Sequence, residues 1–229
     1  MLLRVVTPRR RGRRGRRPRR RAVKPHRAFD PRRVGTLETE AWVTYYRHEW
    51  FAFLRAAVSL THHTFGLPWP QTLYGAWLVL RANQLWAPVP DNDPDGARRA
   101  MAKFYSMVAR RHRETIDPAR AATLEVEWWR VHREHQRGPD AEHRPGSDAH
   151  ERILAEEQPL VDALAALYAY TYGTDSSAVR VAAEQRALAM RYSDQWVSDG
   201  CDLESPLVPL EREALVRSYA GLLAAVYRT

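Results

Sequence analysis

The segment Leu124–Gln136 (LEVEWWRVHREHQ) carries the side chains of this sequence with the clearest capacity for chemistry. On a helix, residues at three-to-four spacing share one face. Here that spacing gives an apolar seam of Ala121, Leu124, Trp128, Val131 and His135. Glu125 and His132 run beside the seam, so we expect both to lie near the buried side of the helix. The opposite, solvated face carries two expected ion pairs, Glu127–Arg130 and Arg130–Glu134.

A second polar group, His48 and Glu49, interrupts an otherwise apolar run earlier in the chain. Carboxylates and imidazoles that point inward from two helices of a bundle can bind iron, manganese or zinc. The candidate metal ligands are therefore His48, Glu49, Glu125, His132 and His135. A metal-dependent oxidoreductase with this His/Glu site inside a helical bundle is one hypothesis for the chain.

The spacing of these residues favours a different interpretation. Carboxylate di-iron proteins use Glu-x-x-His on two helices, and this sequence contains no such motif. Glu125 and His132 are seven residues apart, a rise of ~10 Å on a helix, which is too far to share one ion directly. We therefore expect these groups to hydrogen-bond with one another and with the many Trp and Tyr donors, because buried polar groups need partners. On this interpretation we expect no metal and no cofactor.

The loop Asp91–Gly96 (DNDPDG) matches the first half of a calcium-binding loop. The second half does not match, because position 12, which requires a bidentate Glu, is Ala102. Asp93 stands directly before Pro94, an arrangement typical of an N-cap followed by the first residue of a helix. We therefore expect Asp93 to cap a helix rather than to bind calcium.

Several classes of chemistry lack their residues. The single cysteine, Cys201, excludes an intrachain disulfide and a zinc site built from several thiolates. The sequence has no phosphate-binding Gly-x-x-x-x-Gly-Lys-Ser/Thr loop, no Gly-x-Gly-x-x-Gly and no Gly-x-Ser-x-Gly nucleophile turn. We therefore expect no site for nucleotide phosphates and no serine hydrolase chemistry.

The elements that must position these residues all follow a helical pattern from Thr36 onward. We predict helices near residues 37–64, 70–86, 94–113, 118–137, 148–172, 176–199 and 206–227, with a polar loop at 138–147. Pro159 kinks the helix near 148–172 or divides it into 148–157 and 159–172. The first of them is apolar nearly all round, so we predict that it is a central helix. No alternation typical of strands occurs. We predict one all-α, bundle-like domain of about seven helices over residues 34–229, with the first four helices forming an aromatic-rich core.

The charge is distributed unevenly along the 229 residues. Residues 1–33 contain 15 Lys or Arg and a single acid, whereas the remainder contains 21 basic and 26 acidic residues. Such a basic segment cannot bury apolar surface, so we predict that residues 1–33 form a disordered tail. Three interpretations of the tail remain open: an arm for nucleic acid or another anionic surface, a solvated tail without a partner, or an extension that arises from an upstream start site. No apolar run is long enough to span a bilayer, and we expect a cytoplasmic protein.

Two segments, Asn83–Arg99 (NQLWAPVPDNDPDGARR) and Leu124–Gln136, resemble helical proteins of unassigned function from actinobacteria. The similarity runs from about Gly35 to the C-terminus and omits the basic tail. The resemblance implies a helical fold, and it implies no activity, cofactor or catalytic residue.

The sequence favours a soluble, non-enzymatic module that binds a small molecule or another protein. No catalytic motif is complete, and the chain is rich in Trp and Tyr, which line ligand pockets and anchor interfaces. Two alternatives remain open, the metal-dependent oxidoreductase described above and binding of nucleic acid or an anionic surface through residues 1–33.

Overall fold

Eight helices account for most of the residues that the structure, a computed structural model, describes, namely 29–136 and 157–228. They are α1 (Pro31–Tyr46), α2 (Trp50–Phe65), α3 (Trp69–Trp86), α4 (Pro94–His112), α5 (Pro118–Gln136), α6 (Gln158–Tyr172), α7 (Ser176–Ser198) and α8 (Leu207–Arg228). Those two ranges contain no strand, so the prediction of an all-α fold is confirmed. Residues 1–28, the loop at 138–147 and nearly all of the helix predicted near 148–157 lie outside the described residues.

The capping residues begin helices where the sequence predicts. The amide of Gly96 donates to Asp93 Oδ1 at 2.7 Å, and the amide of Ala119 donates to Asp117 Oδ1 at 2.9 Å. At the C-terminal end of α6, Gly173 adopts a left-handed conformation with φ of 63°, which glycine tolerates without a steric penalty. Asp93 is therefore confirmed as a helix cap.

The single helix predicted over residues 37–64 was wrong, because the chain turns between α1 and α2. His48 has a φ of 60°, and the amide of Glu49 donates to the carbonyl of Thr44 at 2.8 Å. The turn brings the rings of Tyr45 and Trp50 together, with their centroids 6.0 Å apart. The break contains no glycine or proline, so the helical pattern of apolar residues gave no sign that a helix ends there.

The first described helix also begins earlier than the sequence suggests. The carboxylate of Asp30 accepts hydrogen bonds from the amides of Arg32 and Arg33 at 2.9 and 3.3 Å. Phe29 is buried with its ring against Tyr219 of α8, at 5.5 Å between centroids. The prediction of disorder through residue 33 was therefore wrong for its last residues, because the basic composition concealed an Asp-Pro helix start.

The main core lies among α3 to α8. The second, third and fourth predicted helices, which are α3, α4 and α5 of the structure, do contribute its aromatic residues, but the prediction was wrong to include the first predicted helix and to place the last helices outside the core. Each helix packs on the next one along the chain, and α1 also packs on α8. Only Ala56 and Thr61 of α2 are buried, so α2 lies at the edge of the fold. The apolar composition of α2 did not predict its position, because an all-round apolar helix can be either buried or covered by a partner.

Two other properties of the described helices bear on function. None of them is long and apolar enough to cross a membrane. Cys201 is partly buried and packs with the cluster of Val43, Trp196 and Val208, where α1, α7 and α8 meet.

Candidate functional site

A cavity of about 160 Å³ lies within the bundle, between the ends of α2 and α6 and the middle of α4, α5, α7 and α8. Its inner wall consists of buried rings and aliphatic side chains, namely Tyr105, Val108, Trp128, Leu164, Leu167, Tyr168 and Leu222. Its outer part consists of half-buried residues, namely Thr64, Phe65, Glu114, Ile116, Thr171 and Tyr172. The cavity is therefore mostly apolar, with a few polar groups on its walls.

Glu125 supplies a carboxylate to this wall, in keeping with its predicted position near the buried side of α5. Its Oε2 atom accepts from the Tyr105 hydroxyl at 2.6 Å, and its Oε1 atom accepts from Trp128 Nε1 at 3.2 Å. Burial raises the pKa of Glu125, while these two hydrogen bonds act in the opposite direction. The pKa of Tyr105 lies well above its ordinary value, because its hydroxyl is buried beside a carboxylate.

Arg186 of α7 contributes a buried positive charge that the sequence analysis did not identify. Its guanidinium donates to both carboxylate oxygens of Glu38 in α1, and its Nη1 atom lies 3.1 Å from the Tyr219 hydroxyl. The side chains of Arg186 and Glu38 are only 12% and 7% exposed. Burial disfavours the charged guanidinium, but Glu38 raises the pKa of Arg186 well above its ordinary value. Arg186 is therefore charged and fixed in position.

A signal for Arg186 was present in the sequence. The residues around it in α7, Ala182, Ala183, Ala187 and Ala189, are all small and all buried. Such a run of alanines predicts close approach of neighbouring helices on several sides, and an arginine within it needs a buried partner. The partner itself could not be predicted, because Glu38 is 148 residues away along the chain.

Two residues of the cavity wall have hydroxyl oxygens that are shielded from solvent and form no hydrogen bond of good geometry among the described residues. They are Tyr168 and Thr64. Burial raises the pKa of Tyr168, while the positive charge of Arg186 and the neighbouring Ser218 hydroxyl lower it. A buried polar group without a partner costs about 1–3 kcal/mol. Neither oxygen is exposed on the cavity surface, so a molecule in the cavity would reach them only after a rotation of their side chains.

The structure separates the candidate metal ligands. His48 and Glu49 lie in the exposed turn between α1 and α2, where Glu49 pairs with Arg47 at 2.9 Å. The metal hypothesis requires His48 and Glu49 to point into the bundle, but the turn at His48 directs this segment to the surface. These two residues are thus not brought together with Glu125.

The two histidines of α5 each pair with a different acid. His132 Nε2 lies 2.9 Å from Asp194 Oδ2, and His135 Nε2 lies 3.0 Å from Glu157 Oε1. The hydrogen bond to Glu157 raises the pKa of His135, although burial opposes this effect. Within residues 29–136 and 157–228, no three His, Cys, Asp or Glu side chains are placed to hold a metal ion.

The carboxylates of the Asp91–Gly96 loop likewise have partners within the protein. Asp93 Oδ2 lies 3.4 Å from Arg99, and Asp95 Oδ1 lies 2.6 Å from Arg98. Two guanidinium groups beside these acids disfavour a divalent cation at the same place. The arrangement is that of a capped helix start.

A second, much smaller cavity lies on the other side of Arg186. Its volume is about 10 Å³, which is close to the space that one water molecule needs. Glu211 of α8 borders it, is 2% exposed, and has an Oε2 atom without a hydrogen-bond partner among the described residues. Burial, together with the negative charge of Glu38, raises the pKa of Glu211 to about 8.

The larger cavity combines aromatic walls with a few polar side chains, among them Glu114, Glu125 and Arg186, a combination suited to binding a small and mostly apolar molecule. No family model, curated protein or solved structure matches this chain. The geometry of the site is therefore the basis for an assignment of function.

Proposed function

We propose that this protein is a non-enzymatic, small-molecule-binding protein whose ligand is a single aromatic ring with one polar substituent. The observation that carries the proposal is the cavity of about 160 Å³, whose inner wall consists of buried aromatic and aliphatic side chains. The ligand would replace empty space with van der Waals contacts, and a rotation of the Tyr168 side chain would give its hydroxyl a hydrogen bond to the ligand.

The volume of the cavity limits the size of the ligand. An apolar cavity of ~150 Å³ in another protein accommodates benzene, so this cavity has room for one ring and a small substituent. Phe65, Trp128 and Tyr172 contribute aromatic rings to its wall, and such rings pack favourably against a ligand ring edge-to-face or offset. A larger, fused-ring ligand would need the outer part of the cavity to widen.

The polar groups specify the substituent. The Tyr168 hydroxyl can donate a hydrogen bond, and the Glu125 carboxylate, with four lone pairs and the three donors Tyr105, Trp128 and Trp129, can accept one more. A ligand hydroxyl can accept from the first group and donate to the second. A phenol-like molecule therefore fits the polar groups better than an unsubstituted ring.

The pairing of the charged groups supports binding rather than catalysis. Glu125 is held by Tyr105 and Trp128, and Arg186 is held by Glu38 and Tyr219. Side chains that are restrained in this way form a preorganised wall, which reduces the entropy lost when a ligand binds.

Titration calorimetry of the full chain with phenol and with benzene tests the proposal. We expect both to bind, with phenol the tighter ligand. Tyr168→Phe should weaken phenol binding by about 3- to 10-fold, the effect of one lost hydrogen bond, and should leave benzene binding nearly unchanged. Tyr170→Phe is the matched control, because the Tyr170 hydroxyl hydrogen-bonds with the backbone of Asp117 and does not line the cavity.

A second variant tests the location independently of the hydrogen bond. Val108→Phe places a ring in the cavity and should abolish binding of both molecules, provided that its melting temperature shows a folded protein. The proposal would be contradicted if Val108→Phe bound phenol and benzene as tightly as the unaltered chain does. It would also be contradicted if the unaltered chain bound neither molecule.

A further inference from the structure

The surface of α2 and α3 carries an unusual concentration of exposed apolar side chains. Seven large ones are 46% to 84% exposed, and we call them the aromatic face: Trp50, Phe51, Leu54, Trp69, Leu73, Tyr74 and Trp77. Trp69, Leu73 and Trp77 are spaced four residues apart and therefore share one side of α3. Apolar surface of this extent is uncommon on a soluble monomer and marks a site of interaction.

The aromatic face belongs to a part of the chain without negative charge. No Asp or Glu occurs from Trp50 to Pro90, whereas Arg55 and Arg81 are both present and exposed. The rest of the described protein has abundant acids. The partner of this face therefore has apolar material for the rings to enter and negative charge for the arginines.

The basic N-terminal segment joins the fold close to this face. Residues 1–28 contain 13 Lys or Arg and no acid, and the chain then enters α1 at Pro31. Loss of hydration lowers the pKa of His63 near the end of α2, and the positive charge of the nearby Arg33 lowers it further. The ring of His62 stacks on Trp69 of the aromatic face, with 4.5 Å between centroids. Arg33, in the first turn of α1, therefore lies near the end of α2, and the basic residues 1–28 precede α1 directly in the sequence.

We propose that the aromatic face docks on the surface of an anionic lipid bilayer. Trp and Tyr side chains favour the boundary between water and lipid, because their rings are apolar and their N–H or O–H groups remain hydrogen-bonded. Exposed Phe and Leu side chains enter the acyl region. Basic residues in and beside the face are attracted to anionic headgroups, and reversible membrane binding commonly needs two such signals together.

Two other occupants fit the face less well. In a symmetric dimer the same surface occurs on both subunits, so the two arginines of one face, Arg55 and Arg81, would meet the same arginines of the other, while the neighbouring Glu49 already pairs with Arg47. Single-stranded nucleic acid would supply negative charge, but its bases stack on flat rings, and Leu54 and Leu73 offer none. A lipid surface accommodates the aromatic, the aliphatic and the basic residues alike.

Co-sedimentation of the full chain with vesicles tests the proposal. We expect binding to phosphatidylcholine vesicles that contain about one-third phosphatidylserine, much weaker binding to pure phosphatidylcholine, and weaker binding at high salt. The double substitution Leu73→Ser and Trp77→Ser should reduce the affinity for anionic vesicles by about tenfold or more. The matched control is Val181→Ser with Leu210→Ser, two exposed apolar residues of α7 and α8, which should not change it.

A measurement on the unaltered chain avoids any effect of substitution on folding. Anionic vesicles with brominated acyl chains should quench part of the tryptophan fluorescence, because bromine quenches only indoles that reach the acyl region. Vesicle binding without such quenching would overturn the proposal, since the tail alone would then account for it.

Other outcomes would assign the face to a different partner. Absence of vesicle binding overturns the proposal outright. If light scattering then shows a dimer that the double substitution on α3 dissociates, the face is an interface between two copies. If instead an oligonucleotide binds and the same substitution weakens that binding, the partner is nucleic acid.

Discussion

The interior around Arg186 and the aromatic face of α2 and α3 reverse the usual distribution of residue types. In the interior, a glutamate and an arginine with side chains less than 15% exposed pair with each other and with a tyrosine. On the aromatic face, Phe51 is 84% exposed and Trp69 is 58% exposed. The first region buries charged side chains and the second exposes large apolar ones, so neither region follows from hydrophobicity alone.

The difference between the two regions lies in the partners of the side chains. A charge is tolerated in the interior only when hydrogen bonds and an opposite charge replace its hydration. An exposed ring needs no partner for the chain to fold, although it costs solubility until something covers it. The first region should therefore be sensitive to substitution in the isolated protein, and the second only in the presence of its partner.

The largest effect on stability is expected from Glu38→Ala. This substitution leaves the Arg186 guanidinium buried without its carboxylate, which costs about 3–5 kcal/mol of unfolding free energy. Denaturant unfolding monitored by circular dichroism measures the loss. Glu127→Ala is the matched control, because Glu127 pairs with Arg130 at the surface, where a pair contributes ~0–1 kcal/mol. Equal losses in the two variants would contradict the prediction, because the buried pair would then stabilise the fold no more than the surface pair does.

A pH-dependent effect is expected from Glu211→Gln. In the unfolded chain the Glu211 carboxyl loses its proton near pH 4.5. In the folded protein its pKa is about 8, so the carboxyl keeps the proton up to that pH. Glu211 therefore stabilises the fold fully below the unfolded pKa, and this contribution is lost as the pH rises through the folded value.

The comparison with the unaltered chain isolates this contribution. Between about pH 4.5 and 8, the unfolding free energy of Glu211→Gln should increase relative to the unaltered protein by up to ~1.4 kcal/mol per pH unit. Unfolding at several pH values measures the difference. A constant difference across this range would mean that Glu211 titrates normally.

An intermediate effect is expected at a surface residue with a defined backbone partner. Asp93→Ala removes the oxygen that accepts from the Gly96 amide and should cost ~1 kcal/mol. Calcium should leave the melting temperature of both proteins unchanged. A rise with calcium that is absent from the variant would restore the calcium-loop hypothesis.

The smallest effect is expected on the aromatic face itself. Leu73→Ser with Trp77→Ser should reduce the unfolding free energy by less than about 1 kcal/mol, most of it from the lower helix propensity of serine. A loss several times larger would mean that these side chains support the fold, and the contrast between the two regions would then fail.

Local patterns in the sequence predicted much of the fold. Asp93-Pro94 and Asp117-Pro118 marked helix starts, Gly173 marked a helix end, and the spacing within α5 placed Glu125 near the interior. These signals act over one or two turns of chain, so they are visible without knowledge of the partners. The spacing also predicted the surface pairs of Arg130 with Glu127 and Glu134, whose atoms lie 2.7 and 2.5 Å apart.

The rest depends on contacts between distant segments. The pair Glu38–Arg186, of which only Arg186 lines the larger cavity, joins α1 to α7 and has no local signature. The turn at His48 contains neither glycine nor proline, and it moved Glu49 from a predicted interior position to the surface. The exposure of α2 was also unpredictable, because its composition is that of a core helix.

The proposed function depends most on the larger cavity, and a soaked crystal tests for a ligand there most directly. Crystals of the full chain soaked with 4-bromophenol should show an anomalous bromine peak inside the cavity, with the phenol oxygen within hydrogen-bond distance of the Tyr168 hydroxyl. A cavity that contains only ordered water, or a bromine peak found only outside the walls formed by Val108, Trp128 and Leu222, would contradict the proposed function.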